Sequence, residues 1–415
     1  MKPCKPTAIG YFIPEFPGQT HIFFWRERKQ LQAMGLRPDL VSTHRPPQRL
    51  VSHTWSESAA QETDYLFPPS AGQVAGALAE LLRAGPAGWI GCLRAIAAAD
   101  VTGLTARLRL LGLVFVGAEL AWCARARGWR HVHVHSCANA ANIGMFARLL
   151  SGLSYSLTLH GGLHDYGPNQ KNKWRHAAFG IVITRRLKAD LDDSLKGFLP
   201  PVIKLAPMGV DMEVLKRAQP YEPWSGSGPL RLFSCGRLNP CKGHDDAVRA
   251  LALLRRQGID AHLTIAGQDD THGCTYRSML DSLIRELDLA GSVHLLGAVA
   301  EDSVRLELER SHAFVLASLH EPLGVAIMEA MAMGIPVVVT REGGVPELVQ
   351  DEADGLLVDA RAPEQIAAAI VRLAQDPGLA SRLGAAGRQA VAERFHSGVS
   401  ARAIADCVQT LTEKQ

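Results

Sequence analysis

Short apolar runs alternate along nearly the whole chain with longer segments whose apolar residues recur at helical spacing. In the first half, "TAIGYFIP" reads as a strand and "EFPGQTH" as the loop after it. "IFFWRERKQLQAMG" reads as a helix with Ile22, Trp25, Leu31 and Met34 on or near one face, stopped by Gly35. "RPDLVST" is a second strand, and the Ala- and Leu-rich residues 71–128, punctuated by Gly and Pro near 84–91, make two or three helices. "HVHVHS" alternates as a half-buried strand does, and "ANAANIGMFARLLSG" is a helix ending in glycine. "SYSLTLHGG" and "FGIVITRR" are strands joined through "LHDYGPNQKNKWRHAA", and "IKLAPMGV" is a further short strand.

The Pro-, Gly- and Ser-rich "QPYEPWSGSGP", residues 219–229, is the clearest linker. Beyond it the alternation resumes, from "LRLFSCGRL" and "HDDAVRALALLRRQG" through "AFVLAS" and "GVAIMEAMAMG" to "PVVVT" and "VPELVQDE". Short apolar strands between amphipathic helices predict parallel sheets covered on both faces. The expectation is therefore an α/β protein of two Rossmann-like domains with an interdomain cleft. Residues 1–205 form the first domain, 206–229 a linker region and 230–395 the second, while 396–415 form a C-terminal helix expected to pack back on the first. No short-period internal repeat is visible.

Composition adds an asymmetry. A length of 415 residues suits two domains, and the residue usage is that of an ordinary globular protein. Residues 1–200 carry 23 Lys and Arg against 13 Asp and Glu, the remainder 21 against 28, so a basic half precedes an acidic one. The basic half suits phosphates, anionic lipid or simply solvent; no nucleic-acid motif points to nucleic acid. Eight cysteines without a CxxC pair suggest reduced thiols and a cytoplasmic protein. The start lacks the apolar core of a secretory signal, and the best membrane-span candidate is interrupted by Glu119, which favours a buried helix.

Two loops at strand-to-helix junctions carry candidate chemistry. In "AFVLASLHEPLGVAIMEAM" a strand ends near Ser318, Glu321 occupies the loop, and the amides of Leu323, Gly324 and Val325 are placed to receive an anion. Glu329 follows about one and a half turns later. The plainer alternatives are a helix-dipole charge for Glu321 and a surface glutamate for Glu329. In "CGRLNPCKGHDDAV" a strand ends at Gly236, and Arg237 and Lys242 follow; such cations suit a diphosphate, or are solvated loop charges. Neither a GxxxxGK[ST] nor a GxGxxG pattern occurs there or after the first strand. The histidines of "HVHVHS", His131, His133 and His135, lack a carboxylate or CxxC partner, so no metal is expected.

Residues 230–395 resemble, in order, the nucleotide-sugar domain of retaining GT-B glycosyltransferases of family 4. The likeness is carried by "CGRLNPCKG", "LTIAGQ", "LLGAV" and "EPLGVAIMEAMAMGIPVVVTREGGVPELVQDEADGLLVD", with its E-x7-E spacing. The first half matches more loosely through "TLHGGLHDY", "IVIT" and "IKLAPMGVDMEVL". Its opening is similar to that of colanic-acid and exopolysaccharide transferases, with Gln-Thr-His where Ser-Glu-Thr is common.

The resemblance implies a retaining, metal-independent hexosyltransferase using a nucleoside-diphosphate sugar, with no other cofactor. It places Glu321 beside the donor sugar, Glu329 on ribose, and Leu323 and Gly324 on sugar hydroxyls and phosphate. Arg237 and Lys242, beside Gly236, would neutralise the diphosphate. His160 would point at the donor sugar across the cleft, and Gly18 would approach phosphate and acceptor; His164 is the weaker candidate. The expected acceptor is an oligosaccharide, polyprenyl-diphosphate-linked, met by the basic domain at the inner membrane face. The competing expectation is a non-catalytic sugar-nucleotide-binding or scaffold member of a polysaccharide assembly complex.

Overall fold

The computed structural model describes residues 6–18, 20–47, 53–269 and 275–413; Cys4, Gln19 and Cys274 lie outside them. The first sheet contains β1 (Thr7–Phe12), β2 (Leu36–Ser42), β3 (Asp64–Tyr65), β4 (His131–Val134), β5 (Ser154–Leu159), β6 (Gly180–Val182) and β7 (Ile203–Leu205). Its order is β3-β2-β1-β4-β5-β6-β7, with every neighbouring pair parallel. The second contains β8 (Leu230–Cys235), β9 (Ala261–Ala266), β10 (Val293–Gly297), β11 (Ala313–Leu316), β12 (Val337–Thr340) and β13 (Leu356–Val358). Its order is β10-β9-β8-β11-β12-β13, again parallel throughout. Strand order reverses beside β1 and beside β8, the positions where open α/β sheets leave a crevice at their carboxyl ends.

Residues 71–128 form three helices, Ala71–Arg83, Gly85–Ala97 and Leu104–Arg127. The first is opened by Ser70, whose hydroxyl and backbone N–H exchange hydrogen bonds with Gln73 in a capping box. Glu119 lies fully inside the third, with neither carboxylate oxygen hydrogen-bonded, and burial raises it to about 7. Among the described residues no helix is long and apolar enough to cross a membrane.

Two local expectations are corrected. β4 is buried on both faces, because helices cover the sheet on each side and its histidines find partners within it. The helix Ile22–Ala33 turns Arg26, Glu27 and Arg28 inward beside Phe24 and Leu31, while Ile22, Trp25 and Met34 are only half-buried. Partners on other elements outweigh its own apolar spacing.

The chain crosses between the sheets twice, and the crossings are bonded to each other. Val210 donates to the Phe395 carbonyl at 2.9 Å and accepts from the Ser397 N–H at 2.9 Å. At Gly209 a Cβ would fall 2.4 Å from the His396 carbonyl carbon, so glycine alone permits this approach. The helix Gly398–Glu413 then lies on the first domain, burying Ala401, Ile404, Ala405 and Val408 with Ile9, Tyr11, Phe24 and Leu31. Ile404 and Val408 each contribute about 1.5–3 kcal/mol by full burial, and the alanines less.

Candidate active site between the two sheets

Beyond β8 the chain passes Gly236 and Arg237, makes one tight turn over Pro240–Lys242, and enters the helix His244–Arg256 through Gly243. Gly243 is left-handed at φ 62°, and a Cβ there would lie 1.9 Å from the Ala317 carbonyl oxygen. This tight contact brings Lys242 to the loop after β11. Its Nζ sits 2.5 Å from Glu321 Oε2, and the Ser318 hydroxyl donates to the same oxygen at 3.3 Å. The Glu321 carbonyl accepts from the Gly344 N–H at 2.9 Å, which fixes the loop from behind. Both charged side chains are largely shielded, so a low local dielectric strengthens their attraction.

A cavity of about 540 Å³ is lined by Gly236, Arg237, Lys242, Glu321, Leu323 and Gly324 from this domain. From the opposite domain it is lined by His160, Gly161, Asp165 and Tyr166. Gly324 precedes the helix Val325–Ala332, whose first turn opens onto the same space. Glu329 lines a smaller adjoining cavity of about 130 Å³ that shares Gly236 and Arg237. Gly18 lines neither; it is buried against the His21 ring, while Thr20, two residues on, lines both. His164 is exposed, 3.2 Å from Asp165, and faces a different depression with Thr184 and His320.

Glu329 is not waiting for a partner. Arg26, from the helix Ile22–Ala33 of the other domain, places Nη1 2.8 Å from its Oε1, with both side chains nearly buried. Two further contacts tie the domains together around the cavities. His53 Nδ1 and the Thr54 N–H approach Glu301 Oε2 at 2.9 and 3.3 Å. Glu347 accepts from the Arg185 and Arg186 N–H groups at 2.7 and 2.9 Å, meeting the positive end of the helix Arg185–Ser194.

The N-terminal wall is a column of uncharged polar groups. His131 bonds Ser154 and Ser156 at 3.0 and 2.7 Å, and His133 bonds Ser156 and Thr158 at 2.6 and 2.8 Å. His135 Nδ1 meets His160 Nε2 at 3.2 Å, one proton shared between them, while His160 Nδ1 is buried without a partner. His135 Nε2 faces Glu27 Oε1 at 3.3 Å, and the Tyr11 hydroxyl donates to that oxygen at 2.6 Å. Burial pushes His131, His135 and His160 down to about 3 and His133 well below its ordinary value, so the column is neutral. Hydroxyls take both ring nitrogens of His131 and His133. Among the described residues no group of three His, Cys, Asp or Glu side chains is arranged for a metal ion.

Residue-type reasoning missed Arg26, Glu27, His53 and His135 on the N-terminal side of the cleft, and Glu301 facing them from the C-terminal side. A signal existed for one of them. The period-two series His131, His133, His135 and Ser154, Ser156, Thr158, His160 run side by side on adjacent strands.

Residues 223–390 match the family model described as glycosyl transferases group 1. That segment contains the whole second sheet with Arg237, Lys242, Glu321 and Glu329. Among curated proteins, the chain is similar to the amylovoran biosynthesis glycosyltransferase AmsK of Erwinia amylovora. That similarity is 31% identity over 189 residues, covering 44% of this chain and 45% of that protein. The match thus spans about half the length of such relatives. Among solved structures, sucrose-phosphate synthase from Thermosynechococcus elongatus aligns with a TM-score of 0.75 at 20% identity, covering 99% of this chain and 100% of that one. Anabaena HepE in complex with UDP and glucose aligns with a TM-score of 0.74 at 16% identity, covering 97% and 99%. The fold is GT-B: two parallel-sheet α/β domains facing across a cleft.

Proposed function

We propose that the protein is a retaining, metal-independent glycosyltransferase of family 4. It would move a hexosyl unit from a nucleoside-diphosphate sugar to a polyprenyl-diphosphate-linked oligosaccharide in exopolysaccharide assembly. The observation that carries this reading is the Lys242–Glu321 pair, 2.5 Å apart in a cavity shared by both domains, with Arg237 beside it. The AmsK likeness supports the pathway, and the HepE complex supports a nucleoside diphosphate as the donor's base end.

Arg237 and Lys242 hold the diphosphate, and the first-turn amides of the helix Val325–Ala332 add donors. As the bond from the sugar's anomeric carbon to phosphate oxygen breaks, negative charge grows on that oxygen, where the two cations already stand. The acceptor hydroxyl bonds to the anomeric carbon on the same face, and its proton passes to the departing phosphate. Glu321, drawn from Lys242 toward the sugar, offsets positive charge on the ring. Glu329 keeps one oxygen for ribose while Arg26 holds the other. His160, neutral, contacts the sugar without adding charge.

The test is thermal stabilisation by UDP-, GDP-, ADP- and TDP-sugars, with and without EDTA. A donor at a hundred times its dissociation constant adds about 2.7 kcal/mol. Stabilisation by one nucleotide class, insensitive to EDTA and lost in Lys242→Ala, is expected, with transfer reduced about 10²–10³-fold in that variant. No response to any donor would leave the non-catalytic scaffold reading in its place.

Membrane docking belongs to the same proposal. Leu78, Leu82, Ile90, Leu93, Leu104 and Leu108 are exposed on the three helices of residues 71–127. Arg83, Arg94 and Arg109 are exposed beside them, and each such cation near an anionic surface contributes about 1 kcal/mol. Flotation with phosphatidylglycerol vesicles, and its absence with neutral ones, is the expected result.

A further inference from the structure

A third cavity, of about 690 Å³, opens in the N-terminal domain between the helix Leu104–Arg127, the start of the helix Asn139–Ser151 and the loop 166–169. It lies beyond the carboxyl ends of β4 and β5, and Tyr166 lines both this cavity and the one containing Glu321 and Lys242. Tyr166 is therefore a wall common to this cavity and the one proposed for the donor.

Its chemistry is that of a receptor for hydroxyls and an anion. Asparagine amides run along it in a chain, buried except for the exposed Asn139: Asn142 donates to Asn139 at 3.3 Å, Asn169 to Asn142 at 2.9 Å, and Asn172 behind them to Asn169 at 2.7 Å. Asn169 is held in the left-handed region at φ 68°, and the Asp100 carboxylate accepts from its backbone N–H. Lys173 also lines the cavity, 1% exposed, and both hydrogen bonds of its ammonium go to carbonyl oxygens, those of Cys137 at 2.6 Å and Tyr166 at 3.3 Å. Asp100 stands near enough to favour the ammonium, yet burial lowers Lys173 to about 8. Arg109 adds a second cation at the exposed side. On the same helix, Leu104, Leu108 and Leu111 face solvent.

We propose that this cavity is the acceptor site, taking the sugar-diphosphate head of a lipid carrier between Lys173, Arg109 and the asparagines, with the lipid chain along the exposed leucines. The inference rests on the glycosyltransferase reading and adds the seat of its second substrate. The head reaches the donor past Tyr166, and the basic, leucine-faced helices deliver it from the bilayer.

Gly112 offers a clean probe: it lines the cavity on an exposed helical turn, and nothing lies within 4 Å of where its Cβ would stand. Geranylgeranyl diphosphate is titrated calorimetrically into the full chain, the Gly112→Trp and Arg109→Ala variants, and Lys242→Ala. Inorganic diphosphate is run in parallel. Expected are binding to the wild type and to Lys242→Ala, loss in Gly112→Trp, about tenfold weakening in Arg109→Ala, and at least tenfold weaker binding of inorganic diphosphate. Equal binding to wild type, Gly112→Trp and Arg109→Ala would overturn the proposal, as would loss in Lys242→Ala alone. No binding to the wild type would overturn it as well. Donor stabilisation measured on the same variants separates the failures. If donors still stabilise Gly112→Trp and the probe ignores the cavity, only the acceptor site is wrong; if no donor stabilises any form, the transferase reading itself falls.

Discussion

The two walls of the cleft solve the problem of burying polar groups in opposite ways. The C-terminal wall keeps charge and pairs it: Lys242 with Glu321, and Glu329 with Arg26 reaching from across the cleft. Along its histidine column the N-terminal wall discards charge, holding His131, His133, His135 and His160 neutral through hydroxyl and imidazole bonds. Each follows from the same desolvation cost, since an ion in a low-dielectric site needs a counter-ion and a neutral ring needs only a hydrogen bond. A leaving phosphate is best met by the first kind of wall, and a neutral sugar ring by the second.

The junction of the walls is where breakage should be largest. Arg26→Ala leaves Glu329 shielded and unpaired and is expected to cost about 3–5 kcal/mol by chemical denaturation. A change below 0.5 kcal/mol would mean that water already screens the pair. Next comes Glu119, which the N-terminal domain buries with neither carboxylate oxygen hydrogen-bonded. Its folded form keeps the proton up to about 7 while the unfolded chain releases it near 4.5, so stability falls as pH rises between those values and is level above. Glu119→Gln should therefore stabilise by about 3 kcal/mol at pH 8 and by almost nothing at pH 4. Equal effects at both pH values would mean that the folded carboxylate ionises as readily as that of the unfolded chain.

The histidine column has the opposite sign. The unfolded chain takes up protons below about 6.5, whereas His131, His135 and His160 stay neutral down to about 3. Stability is full above 6.5 and lost on acidification, by up to about 1.4 kcal/mol per pH unit for each histidine. Urea midpoints between pH 7.5 and 5.5 that do not move would show that the folded rings take up protons as readily as those of the unfolded chain. The smallest effect should come from a pair that resembles the cleft pairs in chemistry but not in burial. Arg372 and Glu352 meet through two bonds of 2.7 and 2.9 Å, about half-exposed, so Arg372→Ala should cost no more than about 1 kcal/mol, less in high salt.

What sequence could reveal tracks this same division. The C-terminal wall is written locally: strand, loop glycine, cation, helix start, and the positions so named, Gly236, Arg237, Lys242, Glu321, Leu323 and Gly324, line one cavity. The alternating α/β pattern likewise foretold two parallel sheets, because strand runs and helical spacing are short-range signals. Arg26 and Glu27 were invisible for a complementary reason. In "FWRERKQ" they look like the solvent face of an amphipathic helix, and only distant Glu329 and His135 turn that face inward. β4 reads as half-buried in the sequence because histidine counts as polar, yet opposite Ser and Thr it behaves as core. Gly18 illustrates a third limit, since a glycine in a loop says that backbone passes closely without saying close to what.

The stitched crossing at Val210 and His396 has a mechanical meaning. A pair of domains joined by one flexible strand can twist, slide and gape in many directions. Here two strands leave one body for the other side by side, bonded on both sides of Val210 and pressed together over Gly209. Such a double crossing restrains the two bodies more tightly than a single strand would. The helix Gly398–Glu413, just beyond the crossing, packs on the same Ile22–Ala33 helix that carries Arg26, so the joint and the Arg26–Glu329 contact share one rigid element.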